Sequence, residues 1–132
     1  MHELLVYPVA NNDLTTSSYV QYAITKPLDK AGVEYFVSKY FNTPADGDNR
    51  LISLVDVADL KGLPPTTIIA TDIDPLQTEG KQLADRLTTA GVDTMYQLYP
   101  GTAHEFFGTY AVVPLANDAR DFTATRLKAA FQ

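Results

Sequence analysis

The sequence predicts an α/β fold in which a three-stranded, mainly parallel sheet carries helices packed against it. Three short apolar or β-branched segments alternate along the chain with three segments of helical periodicity. Parallel strands need long crossover connections, and those connections are usually helical. In addition, an acidic turn follows the second strand and a histidine follows the third. Catalytic groups and ligands collect at the carboxyl ends of parallel strands, so both positions are candidates for chemistry.

The first third of the chain predicts one strand, one loop and one helix. The apolar run from Glu3 to Pro8 is predicted as a strand that the proline ends. The polar segment from Val9 to Lys26 is predicted as a solvated loop with at most a short helical turn near Tyr19–Ala23. Asp29 is a candidate N-cap for the helix that follows. That helix has apolar residues at helical spacing, which predicts one strongly buried face: Val33, Phe36, Val37, Tyr40 and Phe41.

The stretch from Leu63 to Gly80 is the centre of the predicted arrangement. Residues Thr66–Thr71 are apolar or β-branched and predict a buried strand, which the turn Asp72–Pro75 ends. A helix is predicted over Leu76–Ala90, and Gly91 stands where a left-handed C-cap belongs. The inward face of this helix is predicted to consist of Leu83, Ala84, Leu87 and Ala90.

The last third of the chain predicts a strand, a loop with a histidine and a final helix. The strand is predicted over Asp93–Tyr99, and His104 lies in the loop just beyond it. We expect the pair Phe106-Phe107 to hold this loop by packing against the final helix. Pro114 suits the first turn of that helix, which is predicted over Leu115–Phe131. Its inward residues are predicted to be Leu115, Ala119 and Phe122.

Composition limits the classes of function. A chain of 132 residues predicts a single domain over residues 1–132. The net charge of -6 and the scattered Lys and Arg residues argue against nucleic-acid binding. Apolar runs of strand length predict no membrane span, and the absence of a signal-peptide pattern makes the cytoplasm the expected location. With no cysteine and only His2 and His104, the sequence predicts no metal site and no cofactor.

Two side chains at neighbouring strand ends can act together. A buried carboxylate beside an imidazole accepts the Nδ1 proton and stabilises the imidazolium that forms when Nε2 takes a proton from a nucleophile. Asp74 and His104 suit those two roles. In the plainer interpretation Asp74 only caps the next helix and His104 is a surface histidine. Asp72 competes for the acid role because residues two apart on a strand share a face.

A set of motifs along the chain resembles the C-terminal part of the α/β-hydrolase fold, and more narrowly the hormone-sensitive-lipase-like esterases. The motifs are Leu5-Val6-Tyr7-Pro8, Leu63-Pro64-Pro65, Asp74-Pro75-Leu76 with Glu79-Gly80, Gly91-Val92, Tyr99-Pro100-Gly101, and His104 with Phe106. The resemblance covers essentially the whole chain. It implies a partial α/β-hydrolase fold with Asp74 as the acid and His104 as the base of a catalytic triad.

Two parts of that family's active site have no counterpart in the sequence. The nucleophile of such enzymes lies in a Gly-x-Ser-x-Gly turn, and the oxyanion hole uses a glycine-rich loop. None of the four serines has glycines at the required positions: Ser17, Ser18, Ser38 and Ser53. We therefore expect the chain to be the C-terminal third to half of an esterase, with the missing motifs upstream of Met1.

Two smaller differences from the family pattern concern residues beside the site. Glu105 stands where the family usually has glycine after the histidine, and it adds a carboxylate at the entrance. Ser53-Leu54 stands where the family has Ser-Pro-Leu, which is expected to loosen that loop.

Three functions remain open from the sequence. The first is a serine carboxylesterase fragment that acts on small-molecule esters only in the intact enzyme and is almost inactive alone. The second is a non-catalytic module that associates with a missing half or with itself through the exposed edge of the strand Leu4–Pro8. The third is a flavodoxin-like binding domain, which the absence of a glycine-rich phosphate loop after the first strand disfavours.

Overall fold

The computed structural model describes all 132 residues and has a three-stranded parallel sheet at its centre. The strands are β1 (Glu3–Val6), β2 (Thr66–Ile73) and β3 (Thr94–Ala103), in the spatial order β1-β2-β3. Strand β2 therefore pairs on both sides, and both pairings are parallel. The predicted α/β fold with a parallel sheet is confirmed.

Both longer strands extend beyond their predicted ends. Strand β2 continues through Asp72 to Ile73, and β3 continues through the Pro100-Gly101 pair to Ala103. The ladder shifts register between Thr71 and Ile73, which places extra residues of β3 opposite β2. Gly101 has φ 73°, a conformation that glycine adopts without steric cost. The chain thus bulges just where the two strands approach the site.

The helices lie close to their predicted positions, three between the strands and one after the last strand. They are α1 (Ser17–Gln21), α2 (Lys30–Tyr40), α3 (Gln77–Thr89) and α4 (Pro114–Ala130). The Asp29 side chain caps α2 by accepting a hydrogen bond from the Gly32 N–H at 2.7 Å. Gly91 follows α3 with φ 83°, as the C-cap prediction requires. None of these helices combines the length and apolar character needed to cross a bilayer.

Each face of the sheet has its own apolar core because side chains alternate along a strand. Ile68 packs with α3 in a cluster that includes Leu83, Ala84 and Leu87. Its neighbour Ile69 packs on the other face with Tyr99, Phe106, Ala116 and Ala119.

The inward face of α4 differs from the prediction at its first turn. Leu115 is 36% exposed, whereas Ala116, Ala119 and Thr123 are buried. Ala116 lies in the aromatic cluster with Phe106 and so takes the inward position that was assigned to Leu115.

Two predictions for the first half of the chain are wrong. The segment from Val9 to Lys26 is not simply solvated, because it buries Ala10, Asn11, Ser18 and Tyr19. Helix α2 does not bury its apolar face: only Val33 is buried, while Phe36 and Tyr40 are 63% and 76% exposed. Val33 and Val37 pack with Tyr19 and Leu76, whereas Phe36 and Tyr40 stay uncovered and line one wall of a groove.

Candidate active site

The Asp74 carboxylate is the innermost polar group of the site and is fully buried. It follows the last residue of β2, and its Oδ1 accepts a hydrogen bond from the Leu76 N–H at 2.8 Å. Its Oδ2 accepts from the Thr71 hydroxyl at 2.9 Å and from His104 Nδ1–H at 2.7 Å. Three donors therefore compensate the loss of hydration of one buried carboxylate.

The structure brings Asp74 and His104 together, as expected for the ends of adjacent strands. The contact joins Asp74 Oδ2 to His104 Nδ1, so an ionised Asp74 fixes the imidazole proton on Nδ1. The other ring nitrogen, Nε2, then carries a lone pair. The His104 side chain is 14% exposed and lines the open groove.

The plainer interpretation, in which Asp74 only caps the next helix, does not hold, because α3 has no side-chain cap and Asp74 also bonds to His104. The Asp74 side chain accepts a hydrogen bond from the Leu76 N–H in the turn before α3 and another from His104. Asp72 has a different role, because its Oδ1 accepts a hydrogen bond from the Gly101 N–H at 2.9 Å and so ties β2 to the bulge of β3. The imidazole makes its aspartate contact with Asp74, so Asp74 and not Asp72 is the partner of His104.

Aromatic packing holds the loop that carries His104. Phe106 is 4% exposed and lies in the cluster that includes Ala116 and Ala119 of α4. Phe107 and Phe122 pack against the same cluster. The phenylalanine pair therefore anchors the loop against the final helix, as expected.

Tyr7 is a site residue that the sequence did not reveal. It follows β1 with φ 36°, which is unusual for a non-glycine residue and signals backbone strain. Its ring centroid lies 4.3 Å from that of His104, with the planes inclined by 50°. The strained backbone thus places an aromatic ring against the imidazole. A tyrosine just before a strand-ending proline gives no periodic signal from which this contact could be predicted.

Glu105 contributes a second carboxylate next to the imidazole. Its Oε1 lies 3.9 Å from His104 Nε2, and its side chain is 66% exposed. The residue has φ 70° and ψ -2°, the left-handed conformation that glycine adopts most easily. This backbone conformation explains why a glycine would suit the position. The glutamate instead places a carboxylate near Nε2 of His104.

A groove of about 660 Å³ opens beside His104. Its walls come from the segment that follows β1, from helix α2 and from the loop after that helix. Eleven of its fourteen lining residues are hydrophobic, including Tyr7, Phe36, Tyr40 and Phe41. A concave apolar surface with one oriented imidazole is suited to a small organic ligand.

None of the four serine hydroxyls is hydrogen-bonded to His104. Ser18 donates to the Pro75 carbonyl at 2.6 Å, Ser38 to the Tyr35 carbonyl at 2.7 Å and Ser53 to Asn11 Oδ1 at 3.3 Å. The Ser17 hydroxyl pairs with that of Thr78 at 3.0 Å. All four therefore have structural partners, and no hydroxyl of these serines is placed as a nucleophile for the imidazole.

A second buried carboxyl group lies in the first turn of α3. Glu79 is fully buried, and its Oε1 accepts a hydrogen bond from the Ala10 N–H at 2.7 Å. Its Oε2 and the hydroxyl of Tyr19 are buried without a partner. Burial raises the pKa of Glu79 to about 7, although hydrogen bonds from the Ala10 and Asn11 backbone oppose the rise. Glu79 thereby fixes the loop after β1 to helix α3.

Known proteins are similar to this chain in both sequence and fold. The family profile described as the alpha/beta hydrolase fold matches residues 1–108. A carboxylesterase of Mycobacterium tuberculosis is 31% identical over 97% of the chain, and an arylesterase of Saccharolobus solfataricus is 32% identical over 79%. The solved esterase of Pyrobaculum calidifontis superimposes with a TM-score of 0.93 at 30% identity, over 98% of the chain.

The match covers only part of each relative. The chain spans 41% of the mycobacterial carboxylesterase, 34% of the arylesterase and 43% of the Pyrobaculum esterase. The resemblance inferred from the Asp-Pro-Leu and histidine motifs is confirmed, and so is the partial hydrolase fold. These 132 residues belong to the α/β-hydrolase family.

Proposed function

We propose that this chain supplies the acid and the base of a serine-type ester hydrolase site, with Asp74 and His104 in those roles. The observation that carries the proposal is the 2.7 Å hydrogen bond from His104 Nδ1 to a fully buried carboxylate. The family relatives named as esterases support hydrolysis of small-molecule esters as the reaction. The nucleophile and the oxyanion hole come, in this proposal, from polypeptide outside these residues.

The proposed reaction follows from the orientation of the imidazole. Nε2 accepts the proton of a serine hydroxyl as the hydroxyl oxygen attacks the ester carbonyl carbon. Asp74 stabilises the imidazolium, and the proton then passes to the departing alcohol oxygen. Water repeats the sequence on the acyl-enzyme and releases the carboxylic acid. The groove beside His104 supplies apolar contacts for the substrate.

The test joins this chain to the remainder of a full-length relative, such as the mycobacterial carboxylesterase, in place of that protein's matching part. We expect hydrolysis of short p-nitrophenyl esters that falls by about 10⁴-fold in Asp74→Asn. His104→Ala is expected to lose activity at least as severely. His2→Ala is the matched control, because His2 bonds to Thr67 at the opposite end of β2. Full activity in His104→Ala would refute the assignment.

The isolated chain provides a second test. We expect almost no ester turnover from it, because no serine lies against the imidazole. Serine-type turnover by the purified chain that His104→Ala abolishes would contradict this expectation.

A non-catalytic role is the second candidate, and one observation favours it. Strand β1 pairs only with β2, so its other edge has unpaired backbone groups. In this role the edge pairs with a strand of another chain or of a second copy. Light scattering at high concentration decides the matter: association supports pairing, and a monomer at all concentrations counts against it.

A further inference from the structure

The imidazole of His104 lies between two carboxylates. Asp74 occupies the Nδ1 side and Glu105 lies 3.9 Å from Nε2. No Lys or Arg nitrogen lies within 4.0 Å of either carboxylate, since all other ion pairs lie elsewhere in the chain. The mouth of the site therefore has two carboxylates that form no ion pair with a Lys or Arg side chain.

The effect of this charge reaches the groove. Burial raises the pKa of the Tyr7 hydroxyl, and the negative charges of Glu105 and then Asp74 raise it further. Tyr7 lines the groove and contacts the His104 ring. Glu105 itself does not line the groove, but its Oε1 lies 3.9 Å from Nε2 of His104, which does, so a ligand beside the His104 and Tyr7 rings lies near this carboxylate.

The groove itself is rich in aromatic surface. Four of its lining residues are phenylalanine or tyrosine: Tyr7, Phe36, Tyr40 and Phe41. Lys39 is the one Lys or Arg residue that lines the groove. Its Nζ lies 5.4 Å from the ring centroid of Tyr35, and Tyr35 is not a lining residue. Aromatic faces beside negative charge are the surroundings that attract a quaternary ammonium group.

We propose that this site selects esters that carry an ammonium group, held by the Glu105 carboxylate and by the aromatic rings of the groove. The part of the proposal that makes the ligand an ester substrate rests on the ester hydrolase function proposed above. The recognition itself needs only residues of this chain. Glu105 acts here as a specificity-determining residue, and a glycine at the same position would provide the backbone conformation without the charge.

Binding to the isolated 132-residue chain tests the proposal without any hydrolysis. The probes are acetylcholine and its uncharged carbon isostere 3,3-dimethylbutyl acetate. The binding of each probe is measured from the NMR shifts of the Tyr7 and His104 backbone amides. We expect acetylcholine to bind about three- to thirtyfold more tightly at low salt. The preference should decrease as salt is added, because the Glu105 carboxylate is exposed. Equal affinity for the two probes would overturn the proposal.

Two variants separate charge from shape. Glu105→Gln keeps the side-chain volume and is expected to reduce the preference by about two- to fivefold. Asp85→Asn removes one negative charge from the exposed face of α3 and should leave the preference for acetylcholine unchanged. An unaltered preference in Glu105→Gln would also overturn the proposal. Failure of the joined enzyme to hydrolyse esters would refute the catalytic function and leave this binding result standing, so the two failures are distinguishable.

Discussion

Helices α2 and α3 both have an apolar stripe, but that of α3 is covered along its length, whereas that of α2 is covered only at Val33 and Val37. Helix α3 buries Leu83, Ala84 and Leu87 against Ile68 of the sheet. Helix α2 buries Val33 alone and leaves Phe36 and Tyr40 largely exposed. The difference shows that periodicity identifies a face suited to packing but does not identify what packs on it. In this chain the covered stripe builds the core and the open one builds the groove.

The largest expected difference between the two regions concerns leucine truncation. Leu83→Ala is expected to lower the free energy of unfolding by about 2 to 5 kcal/mol, because Leu83 is 2% exposed in the α3 core. Leu51→Ala is the matched change on the groove side, where Leu51 is 75% exposed. It should cost no more than about 0.5 kcal/mol. Urea unfolding of both variants measures the contrast, and equal losses would contradict it.

The buried carboxyl of α3 gives the next largest effect. The folded chain holds a proton on Glu79 up to about pH 7, whereas the unfolded chain releases it near 4.5. The free energy of unfolding should therefore fall as pH rises through this window, by on the order of 3 kcal/mol. Glu79→Gln keeps an oxygen for the Ala10 N–H and removes this dependence.

Urea unfolding between pH 4.5 and 7 checks the Glu79 prediction. The difference between the wild-type and Glu79→Gln curves isolates this group from the other acids. Glu34→Gln on α2 is the control, since its side chain is 54% exposed and should leave the slope as it is. Parallel curves for wild type and Glu79→Gln would show that the carboxyl does not retain its proton in the folded chain.

The smallest expected effect belongs to the open face of α2. Phe36→Ala should change the free energy of unfolding by no more than about 0.5 kcal/mol, because the ring is 63% exposed. The experiment is most informative over a range of protein concentrations. A loss of several kcal/mol that depends on concentration would mean that a second copy covers the ring in solution.

Local signals were sufficient for the strands, and they made Asp74 and His104 candidates for a pair. The β-branched run at Thr66 and the Asp-Pro turn at Asp74 are short-range patterns, and the sheet brings the ends of adjacent strands together. The family motifs favoured Asp74 as the partner of His104, and the structure excludes Asp72, which bonds to Gly101 instead.

The contacts that escaped prediction depend on distant packing. Glu79 bonds to Ala10 across 69 positions of sequence, and no local pattern marks such a pair. Tyr7 follows β1 and His104 follows β3, and the strained backbone at Tyr7 places its ring against the imidazole. The exposure of α2 depends on what lies beyond its apolar stripe, which periodicity does not encode.

The two carboxylate oxygens of Asp74 have two separate structural roles. Oδ1 stabilises the turn before α3 by accepting from the Leu76 N–H, and Oδ2 orients His104. Anyone transplanting this acid-base pair into another scaffold must therefore move the strand end, turn and helix start of residues 71–76 as one cassette. Two grafted side chains without that cassette would lack the hydrogen bonds that satisfy the buried carboxylate and aim it at the imidazole.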